Sequence, residues 1–422
     1  MKKAPRAYLS SLEPLGIKLG LDEIRGLVEG LGHPDRNFRS VIVAGTNGKG
    51  SVTAMVERAL RAGGYRTGRY ISPHLVRLEE RFVVDGHEVS PTEAEDAIEA
   101  VQAAAARLPL PPSFFEATTA VAFEIFRRRG VDIAVLEVGL GGRLDATNVV
   151  TPLGAIVTAI DFDHEQYLGH SLEAIATEKA GVIKAGRPAV LGRNADAVRG
   201  VVQSIARSVG APLTYAPDDV TVGVDLVDGR SIVTIATPTA RYELVRLALR
   251  GRHQIDNAVT AVRFLETISG THDVSLSADA VRAGLEGAEW PARLEIRSWR
   301  GTDIVIDGAH NPAGARALVA YLHEAYGRPL PMVVGAMRDK AVDALVDALS
   351  GAASRFIFTS VDSPRAAPAA DLAAVAARVA PQVPAIAGGA PMAALTDLVD
   401  GPGPVVVAGS LYLCGEILAG IS

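Results

Sequence analysis

The sequence runs to 422 residues, 48% of them apolar and 21% charged, enough for a large core and more than one domain. Its formal net charge of −6 excludes a dominantly basic surface of the kind that displaces counterions from nucleic acid. No apolar run reaches the roughly 18 residues of a membrane span, Met1–Pro5 carries two lysines with no apolar stretch behind them, and the single Cys414 excludes an internal disulfide. The expectation is a cytoplasmic protein acting on small molecules, away from nucleic acid and membrane.

In chain order, the first strong element is the run 41–45 (VIVAG), four to seven residues of Val, Ile and Ala without strict alternation, like those that follow it. Such runs suit strands covered on both faces, as in a parallel sheet flanked by helices. The sequence then reads Gly45-Thr46-Asn47-Gly48-Lys49-Gly50-Ser51, with a helix expected over 51–63. A glycine-rich turn between strand and helix places backbone N–H groups and a helix N-terminus around phosphate oxygens. Lys49 would meet the β/γ oxygens and the Ser51 hydroxyl a magnesium ion. The loop departs from the general phosphate-loop pattern: Val43 stands where the first glycine belongs, and Gly50 separates lysine from serine. The plain alternative is an ordinary glycine-rich turn.

A helix expected over 116–129 leads to the strand 132–138, which closes on Glu137. A carboxylate at the end of an apolar strand is costly unless paired or metal-bound. The strand 155–160 ends in Asp161-Phe162-Asp163-His164, two acids and a histidine where ligands of open α/β sheets sit. In the helix 171–180, Lys179 falls in the last turn, where a cation is expected from the helix dipole alone. Residues 213–249 break the rhythm. Two alternating segments meet at Asp228-Gly229, a hairpin signal, and predict a small antiparallel patch. A helix over 253–267 follows.

The domain boundary is expected near Trp290–Glu295, dividing the chain into 1–292 and 293–422. Beyond it come strands at 303–307, 332–336, 355–359 and 404–408, with helices over 311–325 and 341–350. The fold class is therefore α/β: an N-terminal doubly wound sheet with a phosphate loop and an antiparallel patch, then a smaller C-terminal α/β domain. Asp307 and His310 follow a strand and should face the same cleft as the earlier strand-end groups. Asp339 with Lys340, and Arg365, also follow strands, where a solvated loop is the plain alternative.

Taken together, the motifs resemble the folylpolyglutamate synthase/dihydrofolate synthase family, a branch of the Mur-ligase-like ATP-dependent amide ligases. The matching segments are GTNGKGS (45–51), ISPHL (71–75), SFFEATT (113–119), LEVGLGGRLDATN (136–148), DHEQYLG (163–169), EKAGVIK (178–184), HQIDNA (253–258), RLE (293–295), DGAHNP (307–312) and GSLYLCGEI (409–417). The resemblance implies ligation of L-glutamate to a folate-type carboxylate through an acyl phosphate, with dihydrofolate synthase as a second activity left open. It implies that Asn47, Gly48, Lys49, Gly50 and Ser51 hold the ATP phosphates, and that Asn257, Arg293 and Asp307 contact the nucleotide. Ser51, Ser72, Glu137 and His164 would serve magnesium, two ions in all. Lys179 matches a lysine carbamylated on its amine, a reading that reverses the one from the helix dipole. His310 would lie near the acyl phosphate or the glutamate. Phe114, Phe115 and Glu116, with Leu144, Asp145 and Ala146, would take the pterin, and Arg365 a glutamate carboxylate. The family expectation is a monomer using ATP, L-glutamate and dihydropteroate or a reduced folate.

Two departures stand out. Ala292 occupies a position where the family usually has glycine, and Lys18 one where some relatives carry an acid. The nearest rival is a Mur-type peptidoglycan precursor ligase, which usually carries an extra domain before the phosphate loop; the 44 residues before Gly45 are too few for one. A nucleotide-dependent switch is the rival of another class, and the second α/β domain with its own Asp307/His310 set speaks against it.

Overall fold

A computed structural model describes residues 4–16, 18–270, 274–399, 401 and 403–421. Three sheets organise the chain. The first has eight strands: β1 (Arg39–Ala44), β2 (Thr67–Tyr70), β3 (Phe82–Val84), β4 (His87–Glu88), β5 (Ile133–Glu137), β6 (Gly154–Val157), β7 (Ala189–Leu191) and β8 (Leu213–Tyr215), in the order β4-β3-β2-β5-β1-β6-β7-β8. It is parallel except where β3 pairs with β2 and β4. The second is the expected antiparallel patch, β9 (Thr221–Val227), β10 (Arg230–Ala236) and β11 (Arg241–Arg246). The third has six strands: β12 (Glu295–Trp299), β13 (Thr302–Ile306), β14 (Leu330–Val334), β15 (Ala353–Phe358), β16 (Ala385–Ala387) and β17 (Val405–Ala408), ordered β12-β13-β17-β14-β15-β16. Only β12 runs antiparallel to its neighbour in that sheet.

The continuous apolar runs are buried on both faces, as their lack of alternation requires. Val41 and Val43 pack beneath the Lys49–Ala62 and His253–Ile268 helices. On the other face Ala134 and Leu136 pack against the Phe114–Arg128 helix, whose Phe123 and Phe126 meet Phe38 edge-on or tilted. Each large side chain so buried contributes about 1.5–3 kcal/mol. The antiparallel patch lays Val233 and Ile235 on the first core and leaves β9 exposed along its length.

Local chemistry sets the helix starts. Ser113 and Glu116 form a reciprocal capping box, Ser171 caps through Ala174 N, and Asn311 caps the Pro312–Tyr326 helix with proline at its first position. The strands that no apolar run announces are short or polar: β2 reads TGRY, and β8 and β16 have three residues each.

Register positions the chemistry. Val43 on β1 pairs with Glu137 on β5 and with Ile156 on β6. The strand order reverses at β1, so the loop after it opens into the crevice at the carboxyl edge of the sheet. In the third sheet Val334 lies level with Ala408 and Phe358, which gathers the segments after β14, β15 and β17 at one edge.

Candidate active site

The glycine-rich loop is shaped from both sides. The backbone N–H groups of Thr46 and Asn47 donate to the Ala159 carbonyl, and Thr158 Oγ1 donates to the Asn47 carbonyl at 2.8 Å. Thr46 Oγ1 donates to the Asp161 carbonyl at 3.0 Å. Gly48 has φ +87°, and a β-carbon there would stand 2.4 Å from Asn257 Oδ1. Glycine thus allows both the left-handed turn and the close seating of Asn257. Asn257 Nδ2 donates to Gln254 Oε1 (2.9 Å), and Gln254 Nε2 donates to Ser51 Oγ (3.1 Å). The first turn of one helix therefore braces the first turn of another.

Two lysines converge on the loop. Lys49 Nζ donates to the carbonyls of Gly45 (3.1 Å) and Thr46 (3.2 Å), and Lys179 Nζ donates to Gly45 at 2.8 Å. Burial pushes Lys179 down to about 7, helped by the charge of Lys49. Burial also lowers Lys49 and raises Glu137, and each group's charge partly offsets the other's shift. Glu137 Oε2 accepts from the backbone N–H of Ser72 at 3.4 Å.

The second domain reaches across the gap to Asp163. Lys340 Nζ donates to Asp163 Oδ1 at 2.6 Å and lies 3.4 Å from His164 Nε2. His310 Nε2 stands 3.6 Å from Asp163 Oδ2, while its Nδ1 donates to the Gly308 carbonyl. Asn311 Nδ2 donates to Asn47 Oδ1 at 3.1 Å. Burial alone would raise Asp163, but the neighbouring His310 ring and the Lys340 charge outweigh it and hold the carboxylate far below its usual range. Burial, reinforced by Lys340 against the opposing charge of Asp163, lowers His164 to about 4, leaving the imidazole neutral at pH 7. Neutral imidazole is the metal-binding form. Among the described residues no three His, Cys, Asp or Glu side chains form a metal-binding cluster. Glu137, His164 and the Ser51 and Ser72 hydroxyls, with phosphate oxygens and water, suit an ion such as Mg²⁺ that keeps several non-protein ligands.

Asp307 is held in place by its own domain: its carboxylate accepts from Leu294 N and Ala309 N, each at 2.9 Å. Arg293 Nη1 donates to the Ala292 carbonyl, and its charge is felt at Lys49, Glu137 and His253. Both neighbours of Arg293 are left-handed, Ala292 at φ +54° and Leu294 at φ +46°. Ala292 is thus accommodated as a strained residue.

The aromatic residues lie beside the loop that follows Glu137, where a β-carbon on Gly139 would stand 2.6 Å from Phe115 Cζ. Phe114 and Phe115 are partly buried, Phe115 tilted 5.9 Å from the Tyr70 ring and Phe114 under the Arg81 guanidinium at 5.2 Å. The Glu116 carboxylate accepts from both Ser113 N and Ser113 Oγ, and its Oε1 is buried without a partner. Asp145 is saturated: it accepts from Gly139 N, Leu140 N, Thr147 N and Thr147 Oγ1. It shapes the loop that carries half-buried Leu144 and buried Ala146. Lys18 Nζ donates to the Pro111 carbonyl at 2.8 Å, and Arg365 pairs with Asp339 at 2.8 Å beside Lys340.

Sequence reasoning brought Asn47, Lys49, Ser51, Glu137, Lys179 and Asn257 to one place, and His164 with His310 to the Asp163 side of it. Four more residues complete the arrangement: Asp163 and Lys340, which the sequence offers only as strand-end groups without an assigned role, and Gln254 and Asn311, which lie inside the 253–258 and 307–312 motifs. For Gln254 and Asn311 the signal is proximity to named motif residues. For Lys340 the signal is its place after a strand, which leaves a solvated loop open until the fold buries the side chain.

Comparison with known proteins places this geometry. Residues 113–265 match the Mur ligase middle domain, and residues 292–411 match the glutamate ligase domain of Mur ligases. Folylpolyglutamate synthase of Lacticaseibacillus casei is 34% identical over 97% of this chain and 96% of its own length. Dihydrofolate synthase/folylpolyglutamate synthase of Mycobacterium tuberculosis is 39% identical over 82% of this chain and 75% of its own length. The solved structure of M. tuberculosis folylpolyglutamate synthase complexed with ADP superposes with a TM-score of 0.90 at 32% identity, covering 99% of this chain and 97% of that one. The chain belongs to the folylpolyglutamate synthase/dihydrofolate synthase family of Mur ligases.

Proposed function

We propose that this protein uses ATP to join L-glutamate to a folate-type carboxylate, releasing ADP and phosphate. The observation that carries the reading is the gathering of cationic side chains from both domains around Lys49: Lys49 and Lys179 meet the loop at the Gly45 carbonyl, Lys340 meets Asp163 beside it, and the charges of Lys340 and Arg293 are both felt at Lys49. A triphosphate is a ligand that the positive charge of Lys49, Lys340 and Arg293 fits. The folate carboxylate oxygen bonds to the γ-phosphorus as the bond to ADP breaks. The glutamate amine then bonds to the acyl carbon, phosphate leaves with the carboxylate oxygen, and the amine proton passes to solvent. The protein supplies placement and charge neutralisation for both steps.

Asn47 through Ser51, Asn257, Arg293 and Asp307 would hold the nucleotide, and His310 would sit where the acyl phosphate meets the amine. Two magnesium ions would be held at Ser51, Ser72, Glu137 and His164, where bound metal neutralises the charge on the transferring oxygens. A carbamate on Lys179 is part of the proposal. A buried amine lowered to about 7 is substantially unprotonated at neutral pH, the form that adds carbon dioxide. Phe114 and Phe115 would face the flat pterin ring near Leu144 and Ala146, Glu116 and Asp145 would hold the surrounding backbone, and Arg365 would attract a glutamate carboxylate. Lys18 places a cation rather than a carboxylate beside Pro111, which favours a folate over dihydropteroate as acceptor. The chain would act as a cytoplasmic monomer of two domains, 1–292 and 293–422; no helix among the described residues is long and apolar enough to cross a membrane.

The test is a substrate panel of tetrahydrofolate and dihydropteroate, each with ATP with and without glutamate, read by ADP release and product mass. The expected result is release that needs both the pterin acid and glutamate, with a product heavier by one glutamyl residue. ADP release indifferent to both would contradict it.

A further inference from the structure

The linker before Arg293 begins with a side chain that the reaction has not yet used. The Trp290 ring lies directly over the phosphate loop: its Cζ2 is 2.2 Å, its Cε2 2.3 Å and its Nε1 2.7 Å from where a β-carbon on Gly50 would stand. The same ring lies 5.5 Å from the guanidinium carbon of Arg69, on β2. Arg69 is an awkward group to bury. Burial pushes its pKa down, its Nε is buried without a hydrogen-bond partner, and its Nη1 lies 3.9 Å from Glu57. An aromatic face is one of the few surfaces that stabilises such a cation without accepting a hydrogen bond. Arg69 also contributes to the charge felt by Glu137.

Two residues further on, the backbone becomes rigid. Ala292 and Leu294 are left-handed, Ala292 N donates to Glu295 Oε2, and the Ala292 carbonyl accepts from Gly308 N at 2.8 Å. Between its two ends the linker has little freedom, so the seat of Trp290 on Gly50 fixes where Arg293 emerges. A side chain of ordinary size at position 50 would collide with the indole and displace the linker.

We propose that Trp290 is a positioning residue for nucleotide binding. By packing on Gly50 and Arg69 it sets the phosphate loop and the linker that carries Arg293 in one register. Replacement loosens both sides of the nucleotide site at once. The proposal rests on the loop being the ATP site.

The test is a double-mutant cycle on the full chain, with affinity for a non-hydrolysable ATP analogue measured by calorimetry for the parent, Gly50→Ala, Trp290→Leu and the double variant. Gly50→Ala should weaken binding about tenfold or more in the parent, and less than about threefold once Trp290→Leu has made room for the added methyl, since residues in contact are not additive. Trp290→Leu alone should raise KM for ATP while leaving KM for glutamate within about twofold, by the rule that distant sites are independent. Trp290→Phe, which keeps a ring for Arg69, should recover part of the loss and stands in for Trp290→Leu if that variant does not fold. The same weakening by Gly50→Ala in both backgrounds would overturn the proposal. A parent chain that fails to bind the analogue would instead overturn the ATP reading itself.

Discussion

The two walls of the interdomain crevice are built differently. On the first-domain side the reactive loop finds its partners within its own domain: Thr158 and Ala159 hold Asn47, Gln254 holds Ser51, and Asp145 closes the 139–147 loop with four accepted hydrogen bonds. On the second-domain side Lys340, His310 and Asn311 direct their polar atoms across the gap, to Asp163 and Asn47. The first wall is preorganised. Three groups of the second thus meet their partners only in the first, so these contacts exist only where the two domains touch.

The difference can be broken most severely at its junction. Lys340→Ala leaves Asp163 buried without its cation, and breaking a buried pair costs about 3–5 kcal/mol. The expected outcome is a fall in kcat/KM on the order of 100-fold or more, with the protein still folded and with more open particles by small-angle scattering in the presence of nucleotide. Unchanged kcat/KM would show that the two walls do not depend on this contact.

A test confined to the first wall comes next. Asp145→Asn removes one acceptor oxygen from a saturated carboxylate and should cost about 1–3 kcal/mol in urea unfolding. The accompanying loss should fall on KM for the pterin acid rather than on KM for ATP, because the loop carries Leu144 and Ala146. An equal effect on both substrates would argue against separate roles for the two regions.

Lys179 gives a pH signature. Its folded value of about 7 lies below the ordinary 10.5. Between these values the unfolded chain binds the proton and the folded chain does not, so its contribution to stability rises with pH across that window. In bicarbonate-free buffer the parent should therefore gain thermal stability relative to Lys179→Met from about pH 7 to about pH 9.5. A difference that stays flat would mean that the amine is not desolvated.

The smallest expected effect is at the linker. Ala292→Gly relieves a left-handed alanine at some cost in chain entropy, for a net stabilisation below about 1 kcal/mol by thermal melting. A clear loss of stability would show that the methyl group is needed in the packing around it.

The sequence made the first wall more legible than the second, for a physical reason. Loops such as 45–51 and 139–148 carry glycines, caps and strand-end acids that are local in the chain, so spacing alone predicts their geometry. β1, β5 and β6 likewise announce themselves as continuous apolar runs. β2 does not, because Thr67, Gly68 and Arg69 interrupt the run; Arg69 is polar there because Trp290, more than 200 residues later, lies over it. Lys340 is similar. Its partner Asp163 is 177 residues away, and only the packed domains bring an apparently solvated loop lysine to 2.6 Å from a buried carboxylate. Ala292 was legible as a departure, but its strain became visible only as a backbone angle.

If the crevice makes a carboxylate reactive by phosphorylating it, a carboxylate oxygen must leave with the phosphate. The direct measurement uses a folate substrate whose terminal carboxylate carries ¹⁸O, turned over with ATP and glutamate, with the released phosphate examined by mass spectrometry. The expected phosphate has gained one ¹⁸O atom from the carboxylate for each amide formed. Phosphate free of the label, alongside normal amide formation, would contradict it.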